Sequence, residues 1–402
     1  MSKVFLINNV GEVFSYSRLL NDLATMSAVP HYLKKSDLYE VFITVICSIV
    51  HEVDLVLLDH DFSDVELSAL GIEKNDLLKT TKVEPKQFLS VDEMLQAIET
   101  SETWKLTLYT SGTTGLPKSV QHKLSNLTRL VRKSSRQADN IWAFAYNPTH
   151  IAGIQVFFQA LLNGNTMVDV FDMPKDYVLK QLKDHEITNI SATPTFYRML
   201  LPIDEEYPKL RRITSGGERF DANLINAFSS AFPNAKLRNI YASTEAGSVL
   251  ESKNDVFSIS DPTMCKVEDG RLFIHKSLLG MEDWEDEWYD TGDLVEYVDS
   301  RHSAFRIISR ESEMINVGGY KVNPLEVEEA LLLYPAIDKA KVWGKANPIV
   351  GNILMADVVL REVCKERDIR TFLGEKLQDF KVPRIINFVD DIEVTRSGKI
   401  KR

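Results

Sequence analysis

KLRRITSGGERFDANLINAFSSAFPNAKLRNIYASTE, from Lys209 to Glu245, changes hydrophobic period twice within one short span. Lys209–Glu218 begins as a short apolar, β-branched run and ends in small and polar residues. Ala222–Phe232 places apolar residues at helical spacing, and Lys236–Glu245 repeats the first pattern. Strand, helix and strand joined by short loops are the unit from which parallel sheets are built. The same alternation extends upstream. Val53–Asp61 (VDLVLLDHD) follows a helix-like Leu38–Val50, and Thr188–Pro194 (TNISATP) follows a helix-like Tyr177–His185. The expected fold class is α/β, a large N-terminal domain of layered mixed sheets and helices. Its ligands belong at the C-terminal ends of the strands, where the loops carry small and polar side chains.

From Asp283 the pattern changes. Trp284–Arg310 reads as antiparallel strands with polar turns, and a Gly318-Gly319 turn follows. A helix-like Pro324–Leu333, strand-like Lys339–Trp343 and Ile353–Leu360, and a helix-like Ile369–Leu377 complete the chain. A boundary is expected at Ser309–Glu311, dividing a 1–309 domain from a small α+β domain of residues 310–402.

Composition narrows the function classes. Hydrophobic residues make up 44% and charged residues 26% of the 402, as in soluble globular proteins. The formal charge of −11 argues against a general nucleic-acid binder, which needs a basic face. The most apolar run, Val41–Val50, falls short of the ~20 residues that span a bilayer. The N-terminus has no secretory pattern, so a cytoplasmic protein is expected. Cys47, Cys265 and Cys364 match no metal-ligand spacing and suggest buried apolar side chains rather than a disulfide framework.

The strongest chemical signal is Tyr109-Thr-Ser-Gly-Thr-Thr-Gly-Leu-Pro-Lys118, after a strand-like Trp104–Tyr109. Small hydroxyl and glycine residues let backbone N–H groups approach phosphate oxygens, and Lys118 adds positive charge. A nucleotide-triphosphatase P-loop would require glycine where Pro117 stands. Proline offers no N–H and has a fixed φ, which disfavours that phosphotransferase reading.

YTSGTTGLPK closely resembles the phosphate-binding loop of the adenylate-forming superfamily: acyl-CoA synthetases, peptide-synthetase adenylation domains and luciferases. The resemblance covers roughly residues 104–402, and further segments follow in order. It implies that Thr110, Ser111, Gly112, Thr113, Thr114, Gly115 and Lys118 hold ATP phosphates. Ser215-Gly216-Gly217-Glu218 resembles the loop lining adenine. Tyr241-Ala242-Ser243-Thr244-Glu245 resembles the Y-G-x-T-E segment, with alanine where glycine is usual. There Tyr241 would stack on adenine, Thr244 would contact the α-phosphate, and Glu245 would help hold Mg²⁺, a hard ion suited to carboxylate oxygen. Asp293 in Tyr289-Asp-Thr-Gly-Asp would accept the ribose hydroxyls, with Arg310 also reaching the ribose and Glu311 as the hinge. Thr395-Arg-Ser-Gly-Lys399 resembles the terminal loop bearing the catalytic lysine, which makes 310–402 a mobile domain. Residues 1–103 resemble a shortened first subdomain.

The implied reaction is ATP-dependent adenylation of a carboxylic acid, followed by acyl transfer to a thiol of CoA or of a carrier protein's phosphopantetheine. Asn147-Pro-Thr-His150-Ile-Ala-Gly153 resembles the P-x-x-H-x-x-G segment of acyl- and aryl-activating members, with His150 lining the pocket. No aspartate stands in Tyr146–Ile154 to bind an amino acid's ammonium, so a simple acyl or aryl acid is favoured. Trp142, Phe157 and Phe158 suit either an apolar pocket or plain core. A rival reading is a catalytically weak, nucleotide-binding relative acting as a binding or regulatory module.

Overall fold

The computed structural model describes residues 3–110, 118–216, 222–252, 255–280, 284–300, 302–317, 320–347, 351–394 and 400. Ser111, Gly112, Thr113, Thr114, Gly115, Gly217, Glu218, the Gly318-Gly319 turn and Lys399 lie outside the described residues. The chain packs as two compact units, 1–254 with 276–287, and 255–275 with 288–402.

In the first unit the described strands make an eight-stranded sheet, a four-stranded sheet and a two-stranded ribbon. Across the large sheet the order is β14 (Gly247–Ser252), β13 (Lys236–Ser243), β12 (Arg212–Gly216), β11 (Asn189–Ala192), β9 (Ile141–Phe144), β10 (Thr166–Asp169), β1 (Val4–Ile7) and β2 (Val13–Ser15). Pairing is parallel from β13 through β1, and the two edge strands are antiparallel. The four-stranded sheet runs β4 (Tyr32–Lys34), β5 (Leu55–Leu58), β7 (Lys105–Thr110) and β8 (Lys118–Lys123). Its first three strands are parallel, and β7–β8 is a hairpin with Thr110 opposite Lys118. The phosphate-loop segment therefore joins two paired strands. The ribbon pairs β3 (Ala28–Pro30) with β6 (Thr80–Lys82).

The helices of this unit are α1 (Tyr16–Leu23), α2 (Leu38–Val50), α3 (Asp64–Ala69), α4 (Val91–Glu99), α5 (Leu124–Thr128), α6 (Ile151–Leu161), α7 (Lys175–Asp184), α8 (Pro194–Met199) and α9 (Ala222–Ala231). The Asp37 carboxylate caps α2 by accepting from the Glu40 N–H at 2.7 Å. Every residue from Val41 to Val50 is buried, because a helix that is apolar all round is stable only inside a core. That core is a single apolar cluster. It takes Leu55, Leu57, Leu106 and Leu108 from the four-stranded sheet and Phe5, Trp142, Phe144 and Met167 from the eight-stranded one. The Phe42 ring stacks on Phe157 of α6 at 4.3 Å and meets the Phe144 ring edge-on at 5.2 Å. Trp142, Phe157 and Phe158 belong to this core, which excludes the pocket-lining alternative for them. The opposite side chains of β9, Ala143 and Ala145, join a second core with α7, α8 and α9, as strand alternation requires.

The second unit holds two further sheets. One, antiparallel throughout, is ordered β15 (Phe257–Ser258), β19 (Ala304–Arg310), β18 (Trp288–Tyr297), β17 (Arg271–His275) and β16 (Cys265–Glu268). The antiparallel pattern legible from Asp283 thus begins earlier, at Phe257. The other comprises β20 (Ile315–Val317), β21 (Tyr320–Val322), β22 (Ile337–Asn347), β23 (Gly351–Leu360) and β24 (Ile385–Phe388). It packs against α10 (Pro324–Leu332) and α11 (Glu366–Gly374). Ser309 and Arg310 end β19, and Glu311 opens the link to β20, all inside the second unit. All three cysteines are free, Cys47 and Cys265 are buried, and burial pushes the Cys47 thiol up to about 11. No described helix is long and apolar enough to cross a membrane.

If α2 is the keystone of the first unit, Phe42→Ala should cost about 3–5 kcal/mol, the usual range for emptying a buried aromatic site. Urea denaturation followed by circular dichroism reads that loss. A surface change such as Val65→Ala, at an exposed position, should leave the transition within about 0.5 kcal/mol of the parent.

Candidate functional site

In the large sheet the chain leaves β9 for β10 on one side and then crosses to β11 on the other. Open α/β sheets bind ligands at such a reversal, beyond the carboxyl ends of the strands. The segments singled out in the sequence leave the sheet at these ends: Asn147–His150 after β9, Ser215-Gly216 ending β12, and Tyr241–Glu245 ending β13.

The β9 loop is held from the neighbouring sheet. Asp59 directly follows β5, and its buried carboxylate accepts from Asn147 Nδ2 at 3.0 Å, from Thr149 Oγ1, and from His150 Nε2 at 3.0 and 3.1 Å. The Asn147 side-chain oxygen in turn accepts from the Thr149 N–H at 2.9 Å. His150 is the N-cap of α6, whose third residue is Gly153. A Cβ on Gly153 would come within 2.3 Å of the Asn147 carbonyl oxygen, so the glycine of the P-x-x-H-x-x-G segment lets helix and loop close together.

At β12 the Ser215 hydroxyl is fully buried with no partner among the described residues. Such an orphan is rare in a folded protein and commonly marks an absent ligand or water. A Cβ on Gly216 would meet the Ile240 carbonyl at 3.2 Å and the Tyr146 hydroxyl at 3.8 Å, so backbone lies open here where a side chain would intrude. The Tyr197 hydroxyl of α8 donates to the Thr214 carbonyl at 2.7 Å, tying the helix to the strand just before this position.

The Tyr241–Glu245 segment is fixed through its backbone. The β13–β14 register slips between Tyr241 and Ala242, a bulge that bends the strand end. Ala242 is not among the residues with positive φ, so its methyl group replaces the usual glycine without strain. Three successive carbonyls then find donors on three different elements. Thr244 O accepts from His122 Nε2 of β8 at 2.8 Å, Glu245 O from the Gly280 N–H at 2.6 Å, and Ala246 O from Arg129 Nη2 at 2.9 Å. Arg129 follows α5 and also donates to the Ser248 and Leu278 carbonyls. A Cβ on Gly280 would strike Val120 Cγ1 at 2.5 Å, so only glycine brings that N–H so close.

The residues expected to contact the ribose come together in the second unit. Arg310 Nε donates to Asp293 Oδ1 at 3.1 Å across β18–β19, and Asp293 is buried. Glu311, the expected hinge, accepts from Arg271 Nη2 and faces Lys321 at 3.7 Å. Lys118 begins β8 and is exposed. No cluster of three or more metal-ligating side chains exists among the described residues. A nucleotide-borne Mg²⁺ needs no such cluster, since one or two carboxylates plus phosphate oxygens and waters suffice. The orphaned Ser215 hydroxyl, the open backbone at Gly216 and the single carboxylate of Glu245 therefore fit ATP with Mg²⁺. Sequence reading missed Asp59, His122, Arg129 and Arg271. The one available signal was an acidic residue directly after the apolar run Leu55–Leu58.

Burial holds the His122 imidazole below its ordinary value of 6.5, against the raising effect of its hydrogen bond to Thr244. As the pH falls below 6.5 the unfolded chain takes up this proton first, so stability present above that pH is lost below it. His122→Gln, which keeps a donor and removes the titration, should lose less stability than the parent between pH 7.5 and 5. Urea midpoints across that range measure the difference, and parallel curves would contradict it.

Comparison with known proteins agrees with this architecture. The AMP-binding enzyme family profile matches residues 19–268, and the profile for the AMP-binding enzyme C-terminal domain matches residues 326–399. The 2-succinylbenzoate–CoA ligase of Listeria innocua is 25% identical over 385 residues, which cover 87% of this chain and 78% of that protein. Bacitracin synthase 3 of Bacillus licheniformis is 25% identical over 389 residues, 86% of this chain but 6% of that longer protein. The fold superposes on o-succinylbenzoate CoA synthetase from Bacillus subtilis, solved with its acyl-adenylate intermediate. The TM-score is 0.75 at 20% sequence identity, covering 99% of this chain and 94% of that one. With a profile spanning well over half its length and the segments of Tyr241–Glu245 and Asp293–Arg310 in place, the chain belongs to the AMP-binding enzyme family of the adenylate-forming superfamily.

Proposed function

We propose that this protein is an ATP-dependent acid–thiol ligase, which converts a simple acyl or aryl acid to its acyl adenylate and passes the acyl group to CoA. The Tyr241–Glu245 segment carries this reading: its backbone is anchored by His122, Gly280 and Arg129, and its threonine hydroxyl and glutamate carboxylate are of the chemistry that would meet an α-phosphate and its metal ion. A carboxylate is a poor electrophile, and joining it to AMP creates a good leaving group. In the first step the acid's oxygen attacks the α-phosphorus and pyrophosphate departs. Negative charge gathers on the phosphate oxygens, so preorganised donors and cations there dominate the rate. Thr244, the backbone of Ser111–Gly115, Lys118 and Lys399 are the donors assigned to that charge. Glu245 would hold Mg²⁺, which when bound would supply electrostatic stabilisation of the same oxygens.

Tyr241, Ser215, Gly216, Gly217 and Glu218 are assigned to the adenine side, and Asp293 with Arg310 to the ribose. His150 faces the acid. A simple acid is favoured over an amino acid because the carboxylate that the fold brings against the His150 loop, Asp59, is already bound to Asn147, Thr149 and His150. CoA as acceptor is supported by the 2-succinylbenzoate–CoA ligase relative. A carrier-protein phosphopantetheine, the other thiol suited to this fold, is distinguished by assay. Residues 310–402 act as the mobile domain, turning about Arg310-Glu311 between the two steps.

ATP–pyrophosphate exchange should appear with one class from a panel of benzoate, 2-succinylbenzoate, 4-hydroxybutyrate, decanoate and valine. CoA should then release AMP stoichiometrically with thioester. Exchange confined to valine would overturn the acid preference, and ADP as product would overturn adenylation altogether. Lys399→Ala should lower exchange by two to three orders of magnitude, about 3–4 kcal/mol of barrier. Glu311→Pro should spare exchange and block thioester formation, whereas equal loss of both steps would remove the hinge assignment.

A further inference from the structure

We propose that Asp59 is a positioning residue of the acid site, whose carboxylate fixes the His150 ring with Nε2 turned inward and so sets the ring face and edge that line the pocket for the incoming acid. This rests on His150 facing the acid, as assigned above. Asp59 stands at the carboxyl end of β5 and His150 just beyond the carboxyl end of β9, so the contact joins two sheets at the mouth of the topological reversal. A buried carboxylate is tolerated only when its oxygens are hydrogen-bonded. Here Asn147 Nδ2, Thr149 Oγ1 and His150 Nε2 all donate to it, and all three come from one four-residue loop. The loop is thereby held at three points, and Gly153 closes α6 against its base.

The ring's orientation follows from that arrangement. A histidine donating from Nε2 to a carboxylate has its tilt set by that bond, the means by which proteins fix how an imidazole faces a site. The described residues offer Nδ1 no partner, and the His150 side chain remains 13% exposed against 7% for Asp59. A purely structural staple would not need an imidazole there, because Asn147 and Thr149 already anchor the loop to the same oxygen.

Asp59→Asn, His150→Ala and the double variant test this with whichever panel acid exchanges. Asp59→Asn should raise the acid's KM at least about tenfold and leave the KM for MgATP within about twofold. Introduced into His150→Ala it should add less than about twofold, since residues acting through one another are non-additive. Full additivity, or an equal rise in both KM values, would overturn the proposal. Should Asp59→Asn not fold, Asp59→Glu, which keeps the charge but displaces it, carries the same expectation.

A measurement without any acid separates this inference from the ligase reading. In protein carrying ¹⁵N-labelled histidine, the His150 Nε2–H resonance, identified by its loss in His150→Gln, should be present in the parent and absent from Asp59→Ala, which removes the acceptor. A resonance unchanged by Asp59→Ala would overturn the positioning role even if exchange with the panel acids is found. The expected change would support it even if none of them exchanges.

Discussion

The first unit is organised around the burial of α2. A ten-residue run with no charged side chain, Val41–Val50, cannot sit on a surface, so apolar faces must cover it on every side. The four-stranded sheet supplies one face and the eight-stranded sheet the other, with Phe42 packed between Phe144 and Phe157. Once both sheets lie against the same helix, the carboxyl ends of β5 and β9 are brought together. Asp59 and His150, ninety-one residues apart in the chain, then come within hydrogen-bonding distance. The acid side of the candidate site is thus a consequence of where an apolar helix has to go.

The nucleotide side is built differently, from backbone rather than from packing. The turn after β13 has peptide carbonyls to satisfy, and buried carbonyls are costly when unpaired. His122, Gly280 and Arg129 each take one of three successive carbonyls. The excursion Lys276–Glu287, which leaves the second unit's strands to pack with the first, supplies the Gly280 N–H and the carbonyls that Arg129 and Asn126 bind. Loss of any one donor would leave an unpaired carbonyl beneath the segment assigned to the phosphate. The family's Y-G-x-T-E pattern is visible because its side chains meet the ligand, whereas its supports lie in three distant stretches.

Much of this was legible in the linear chain. Periodicity located α2 at Leu38–Val50, the strand–helix–strand of β12, α9 and β13, and the hairpin strand before the phosphate loop. Motif residues marked Asn147–Gly153, Ser215-Gly216 and Tyr241–Glu245 at strand ends, where the fold places them. Local readings also had limits. Trp142, Phe157 and Phe158 could be pocket or core by composition, and only their burial against α2 made them core. The antiparallel sheet starts at Phe257 rather than Asp283, because its first strands are short and carry little alternation of their own.

The sequence settled those features whose cause is local: helical or strand period, the turn chemistry of glycine and proline, and runs of hydroxyl and glycine residues suited to phosphate. Asp59, His122, Arg129 and Arg271 could not be read this way. Each is an ordinary surface-type residue in its own stretch, and each gains its role from a partner 40 to 122 residues away. A buried polar side chain is explained only by the group it satisfies, and which groups meet is decided by the packing of whole sheets and helices. The sequence marks the side chains proposed to touch ligand, while the side chains that hold their segments in place become visible only in the tertiary structure.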